Sequence, residues 1–239
     1  MERLGTVLGV WAHPDDEAYL SAGLMARAID AGDRVVCVTA TRGEEGSFDE
    51  ERWPPETMGK TREVELLACL EIIGVRDHRW LDMRDGTLAG EDDDAVTARI
   101  DALLAEVAPD TVLTFGPDGM TGHPDHKAVS AWTTRAFEAS GRPGSRLCYA
   151  TYTPEWSERF VETYNRFNVF MEPGTPPVMP SHDLEICVQL SPQELERKIR
   201  AVEQHVSQIE PMTDLLGRQL LFDSQDGEYF SLAQRKASA

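Results

Sequence analysis

A chain of 239 residues, 41% of them hydrophobic, can bury one sizeable core, yet no stretch has the uninterrupted apolar length that a bilayer span needs. The formal charge of −19, from 42 acidic against 23 basic side chains, repels nucleic-acid phosphates and anionic lipid, so neither nucleic acid nor membrane is an expected partner. Cys37, Cys69, Cys148 and Cys187 are far apart with no CxxC pair, and MERLGTVLGVWAH is no signal peptide; both point to reduced thiols in the cytoplasm.

The elements alternate between two periods. TVLGVWA (residues 6–12) is a short apolar, β-rich run. From Glu17, apolar residues recur at Leu20, Leu24 and Ala28, a helical stripe that Gly32 closes. RVVCVTAT (34–41) reads as a second buried strand. TREVELLACLEIIGV returns to helical spacing, with Val64, Leu67, Leu70 and Ile73 as its expected buried stripe and Gly74 as its end. HRWLDM is a short strand candidate, and DDDAVTARIDALLAEVAPD is a helix with acids at its positive end and Pro109 beyond it. TVLTFG (111–116) and SRLCYATYT (145–153) follow as strands. In the helix PEWSERFVETYNRF, Trp156, Phe160, Tyr164 and Phe167 form either an exposed face suited to homo-oligomerisation or a cover for the core. MEPGTPPVMPSHD (171–183) is too proline-rich for regular structure. LEICVQL is a strand, and SPQELERKIRAVEQHVSQIEPM opens with a capping-box pair, Ser191 and Glu194.

This rhythm predicts one domain over residues 1–239 with a Rossmann-like α/β fold, a mostly parallel sheet with helices on both faces. No GxGxxG follows the first strand, so a dinucleotide site has no support. Ligands of open α/β sheets sit outside the carboxyl ends of the strands. AHPDDE, ATRGEEG and FGPDGMTGHPDH each follow a predicted strand, so all three are expected on that edge.

Two of these loops carry chemistry. His13 and Asp16 are three apart where strand gives way to helix, and His123 and His126 repeat the spacing in GHPDHKAV. Taken singly, each motif is also a good polar turn with proline and acids opening a helix. Together they offer two histidines and a carboxylate, a recurrent set for a divalent metal with one position open. Zinc suits mixed nitrogen and oxygen ligands; iron, cobalt and manganese are alternatives. A spare carboxylate beside Asp16 and a spare imidazole beside His126 are the base and acid that a hydrolase needs. His78, His182 and His205 lack such companions and are expected at the surface or behind the ligands.

AHPDDE, TRGEEGS, TREVEL, the DG after the third strand, GPDGMTGHPDH and HVSQ together resemble the PIG-L/LmbE-like family of metal-dependent deacetylases, from about residue 5 to residue 230. The resemblance implies hydrolysis of an N-acetyl group from an N-acetylglucosamine conjugate, a small-molecule substrate, with relatives acting as amidases. It implies His13, Asp16 and His126 as metal ligands, Asp15 as general base, and His123 as oxyanion stabiliser or acid. Arg62 and Asp85 match positions that contact the sugar. Arg62 pairing with Glu63 or Glu65, and Asp85-Gly86 as a plain turn, are the local alternatives, and Glu44 and Glu45 either reach the site or tip a solvated loop. The rivals are a phosphoester hydrolase and a non-catalytic sugar- or metal-binding protein. Specificity is expected from residues 43–60 and 171–183.

Overall fold

Strand and helix succession sets the architecture, and the computed structural model describes residues 3–237 of it. The expected domain bounds, 1 and 239, lie outside the described residues. In chain order the elements are β1 (Val7–Trp11), α1 (Asp16–Asp30), β2 (Val35–Thr41), α2 (Pro55–Ile73), β3 (Asp77–Met83), α3 (Asp93–Val107), β4 (Thr111–Phe115) and α4 (Gly119–Gly122). Then come α5 (Pro124–Ser140), β5 (Arg146–Ala150), α6 (Pro154–Asn165), β6 (Ile186–Gln189), α7 (Pro192–Val202), α8 (Val206–Leu216), α9 (Gln219–Ser224) and β7 (Gly227–Arg235). The sheet runs β3-β2-β1-β4-β5-β7-β6, parallel through β5 and antiparallel at β7 and β6. β1, β2 and β4 are buried along their whole length, as strands covered on both faces must be. α1 packs with α2 and α7, and α3 packs with α5. Right-handed crossovers put these two groups on opposite faces. No helix of the described residues is long and apolar enough to cross a membrane.

Several local choices follow expectation. Ser191 and Glu194 close the capping box that opens α7, and Asp92 caps α3 by accepting from the Asp94 and Ala95 amides. All four cysteines are free thiols. Other details differ. On α2 the buried apolar residues are Met58, Leu66, Cys69, Leu70 and Ile73, while Val64 and Leu67 are exposed. The inward face of α2 also carries Arg62 and Glu65. An apolar count skips these buried charges and slides to the wrong face. β7, absent from the predicted strands, inserts between β5 and β6; only part of it is buried, so its alternation is broken. Trp156, Phe160 and Tyr164 are buried in a second apolar cluster with Met212, which removes them as a surface for self-association.

Candidate active site

After β1 the chain turns towards β2, and after β4 it turns the other way towards β5. The crevice opens between such diverging connections. His13 to Asp16 leave the end of β1 and Gly119 to His126 leave the end of β4, so both histidine motifs meet there.

Each ligand candidate is aimed by its neighbours. Asp16 Oδ2 accepts from the amides of Ala12 (3.2 Å) and His13 (2.8 Å), and Oδ1 lies 3.4 Å from His126 Nε2. His126 Nδ1 donates to the Gly119 carbonyl at 2.9 Å, and the ring stacks on Phe115. Its Nε2 therefore bears the lone pair. His13 Nε2 faces Asp85 Oδ1 at 3.0 Å and Asp125 Oδ2 at 3.4 Å, so Nε2 keeps its N–H and Nδ1 is the nitrogen whose lone pair a metal can take in place of a proton. His13 Nδ1 and His126 Nε2 face each other across 3.1 Å, with Asp16 Oδ2 3.8 Å from His13 Nδ1. Zinc–nitrogen bonds of 2.0–2.1 Å give a tetrahedral edge of roughly 3.3–3.4 Å. Ring nitrogens facing at that spacing need a proton or a metal ion between them, and with the Asp16 carboxylate beside them the donor set fits a divalent ion.

The electrostatics agree. Burial works against charge on His13, but hydrogen bonds to Asp125 and Asp85 and the charge of Asp16 prevail and raise its pKa to about 10. The spot draws positive charge. Burial, opposed by His13, raises Asp16 to about 7, and burial beside His13 and His123 holds His126 well below the usual histidine range.

Asp15 has φ 120°, a conformation that an L residue holds only when its surroundings enforce it. Its amide donates to Glu17 Oε2 at 3.1 Å, and Arg62 Nη2 donates to its Oδ2 at 3.2 Å. Arg62 also donates to the carbonyls of Pro14 (2.6 Å) and Gly43 (3.1 Å). A Cβ on Gly43 or Gly46 would fall 2.2 or 2.3 Å from Arg62 Nη1, which explains the glycines of TRGEEG. Arg62 pairs with neither Glu63, which binds Arg42, nor Glu65, which binds Ser207. Arg62→Ala is expected to cost about 3 kcal/mol in urea denaturation, because it leaves Asp15 and two carbonyls without a buried partner. Lysine at this position should recover only part, since it lacks the planar fork.

His123 caps α5, its Nδ1 accepting from the Asp125 amide at 3.2 Å. Nε2 then carries the proton. Burial, then the charge of His13, lowers its pKa, so His123 is a neutral N–H donor lining the cavity. Asp85 accepts from the Glu45 amide at 3.0 Å as well as from His13, so its carboxylate is already engaged with a ligand candidate. Glu44 accepts from the Asp85 amide, and the Glu45 side chain pairs with Arg84 in solvent.

Two supporting residues, Asp125 and Glu17, escaped the sequence reading, while His205 takes the second of its two expected places, behind the ligands. Asp125 accepts from the amides of Gly86 (2.8 Å) and Leu88 (3.1 Å) and faces His13, tying the loop after β3 to the site. It stands inside the HPDH motif, which was the available signal. Glu17 and His205 form a fully buried pair, Oε1 to Nε2 at 2.9 Å, and Cys69 Sγ donates to the same oxygen. His205 is thus no surface group, and HVSQ was its signal. Burial opposes both charges, but the partner prevails: His205 lowers the Glu17 pKa and Glu17 raises that of His205. The Glu17 contribution to stability is present above its ordinary 4.5 and lost as pH falls through its folded pKa. The His205 contribution is complete below 6.5 and lost as pH rises through its folded value. Stability from this pair should be greatest between those limits, and the decline towards alkaline pH in urea titrations should be smaller for His205→Gln.

The seven residues singled out, His13, Asp15, Asp16, Arg62, Asp85, His123 and His126, all line one cavity of about 650 Å³. The 43–60 segment adds Glu45, Gly46, Ser47 and Phe48. Of the proline-rich segment only Met171 contributes, and Phe167 to Phe170 just before it supply more of the wall.

The model of the family described as "PIG-L: GlcNAc-PI de-N-acetylase" matches residues 8–137. A 1D-myo-inositol 2-acetamido-2-deoxy-alpha-D-glucopyranoside deacetylase of Rhodococcus erythropolis is 31% identical, over 85% of this chain and 81% of its own length. The chain belongs to the PIG-L family. A deacetylase of the same description from Kineococcus radiotolerans is 37% identical over 61% of this chain, and that match spans about half, 49%, of the relative's length. The fold is also that of N,N'-diacetylchitobiose deacetylase from Pyrococcus horikoshii, with TM-score 0.66, 18% identity, and coverage of 96% of this chain and 84% of that one. The PIG-L match holds both histidine motifs, Arg62 and Asp85, while the aromatic cluster from Trp156 onwards lies beyond it.

Proposed function

We propose that this PIG-L family chain is a zinc-dependent N-deacetylase, a single domain working in the cytoplasm on an N-acetylglucosamine-type conjugate. The names of its relatives support that substrate class, and its free cysteines suit a reducing compartment. The observation that carries the reading is the pair of facing imidazole nitrogens beside Asp16, with Asp15 and His123 lining the same cavity.

His13, Asp16 and His126 would hold the ion, with Asp85 and Asp125 fixing the His13 tautomer. A bound divalent ion supplies Lewis acidity that polarises the amide carbonyl and acidifies water. Asp15, steadied by Arg62 and by Glu17, takes a proton from the water that attacks the carbonyl carbon. The Nε2–H of His123 donates to the carbonyl oxygen as that oxygen gains charge. Transfer of the proton from Asp15 to the nitrogen lets the C–N bond break, releasing acetate and the free amine.

The test joins elemental analysis of purified protein to amine release from N-acetylglucosaminyl inositol. One ion per chain and free amine are expected. Amino-sugar binding without amine release would make this a binding protein, and phosphate ester turnover without deacetylation would make it a phosphoesterase.

A further inference from the structure

Besides the reacting groups, the cavity has a wall of different chemistry. Tyr19, Phe48, Tyr152, Trp156, Phe170 and Met212 build it. Tyr152 and Trp156 stack at 3.5 Å between ring centroids, with their planes 3° apart. Apart from the Tyr19 and Tyr152 hydroxyls, several polar atoms of this wall are already engaged within the protein. Trp156 Nε1 donates to the Ser224 carbonyl at 2.7 Å, and the Tyr164 hydroxyl is bonded to Ser224 Oγ at 2.7 Å. The Gln208 amide donates to the Gly46 carbonyl at 3.0 Å, and the Ser47 hydroxyl to that of Trp53 at 2.7 Å. A polyol moved against this surface would leave its water partners and find few replacements. A hydrocarbon ring would lose nothing and gain contact. At about 650 Å³ the cavity has the size of sites that enclose a whole drug-sized ligand, well beyond an acetamide. Phe48 and Met171 extend the same character to the rim, 66% and 57% exposed.

We propose that the amino sugar recognised here carries an apolar group of aromatic-ring size, which this wall binds. The proposal rests on the N-deacylase reading and narrows its substrate class. The apolar group is either the aglycone or an acyl chain longer than acetyl, and the substrate series separates the two.

The experiment compares kcat/KM for amine release by the metal-loaded protein on three compounds: N-acetylglucosaminyl inositol, phenyl N-acetylglucosaminide, and glucosaminyl inositol bearing an N-benzoyl group. One apolar compound should exceed the first by about tenfold or more, as pocket complementarity of a few carbons allows. Preference for the phenyl glycoside identifies the aglycone, and preference for the benzoyl amide identifies the acyl chain. Equal or better turnover of N-acetylglucosaminyl inositol overturns the proposal and leaves the deacetylase reading intact. Should none be cleaved, that reading fails, and calorimetric titration still decides the subsite: tighter binding of the phenyl glycoside or the benzoyl amide than of the N-acetylglucosaminyl inositol supports it, and tighter binding of the latter than of both sinks it. Phe48→Ser with Met171→Ser, both at exposed positions, should shrink the preference. A fully retained preference in that double variant contradicts the placement of the apolar group.

Discussion

Asp15→Asn should lower kcat/KM for amide hydrolysis by roughly 10²- to 10⁴-fold, the usual contribution of a positioned general base, while metal content stays at the wild-type level. The amide is nearly isosteric, and the facing nitrogens of His13 and His126 and the oxygens of Asp16 are left as they were. Arg62 can still donate to the remaining carbonyl oxygen, so the φ 120° backbone has much of its support. Only the proton acceptor is gone. Burial raises the Asp15 pKa, with Arg62 opposing, so the acidic limb of the wild-type pH–rate profile should report its ionisation. That limb should vanish or shift in the variant. Near-wild-type turnover would remove Asp15 as the base.

His126→Ala should abolish metal binding together with activity. It deletes one of three donors, and the Gly119 carbonyl that aims it gains no other ligand. Asp85→Asn is the instructive contrast. Asp85 sits on His13 Nε2 and would touch no ion, so its replacement should weaken metal affinity or activity by about 10- to 100-fold, the usual effect of altering a ligand's partner. Both are read by elemental analysis after dialysis and by equilibrium titration with zinc. The fold should survive His126→Ala, since the residue lies in the first turn of α5 at the sheet edge and not in a central strand. Full metal stoichiometry in His126→Ala would show that the ligand set is misassigned.

The sequence made the parallel half of the sheet and the crevice readable because both rest on local signals. Short runs rich in apolar and β-branched residues became β1, β2 and β4, and the polar segment after each could only lie at the strand ends. The i, i+3 spacing in both histidine motifs placed four side chains before any distance was known. Contacts between distant segments were not readable. Glu17 meets His205 across 188 positions, and nothing in either neighbourhood specifies the pairing. For Arg62 the resemblance implies sugar contact and the local alternative is a pair with Glu63 or Glu65, whereas its partners in the fold are Asp15, Pro14 and Gly43, none of them its neighbours in sequence. Asp85 shows the same limit: the turn is evident, but the His13 ring it faces comes from another strand. β7 was missed because a half-buried strand at the antiparallel side has too little alternation to stand out.

One divalent ion is expected to join His13 Nδ1, His126 Nε2 and an Asp16 carboxylate oxygen. Anomalous diffraction at the zinc edge from zinc-loaded crystals tests it most directly. One strong peak should lie at about 2.0–2.2 Å from each of those three atoms, with Asp15 and the His123 Nε2 outside bonding distance. A peak bound by His123 in place of Asp16, or one between Glu17, Cys69 and His205, whose donor atoms also lie within 4.8 Å of one another, would contradict it.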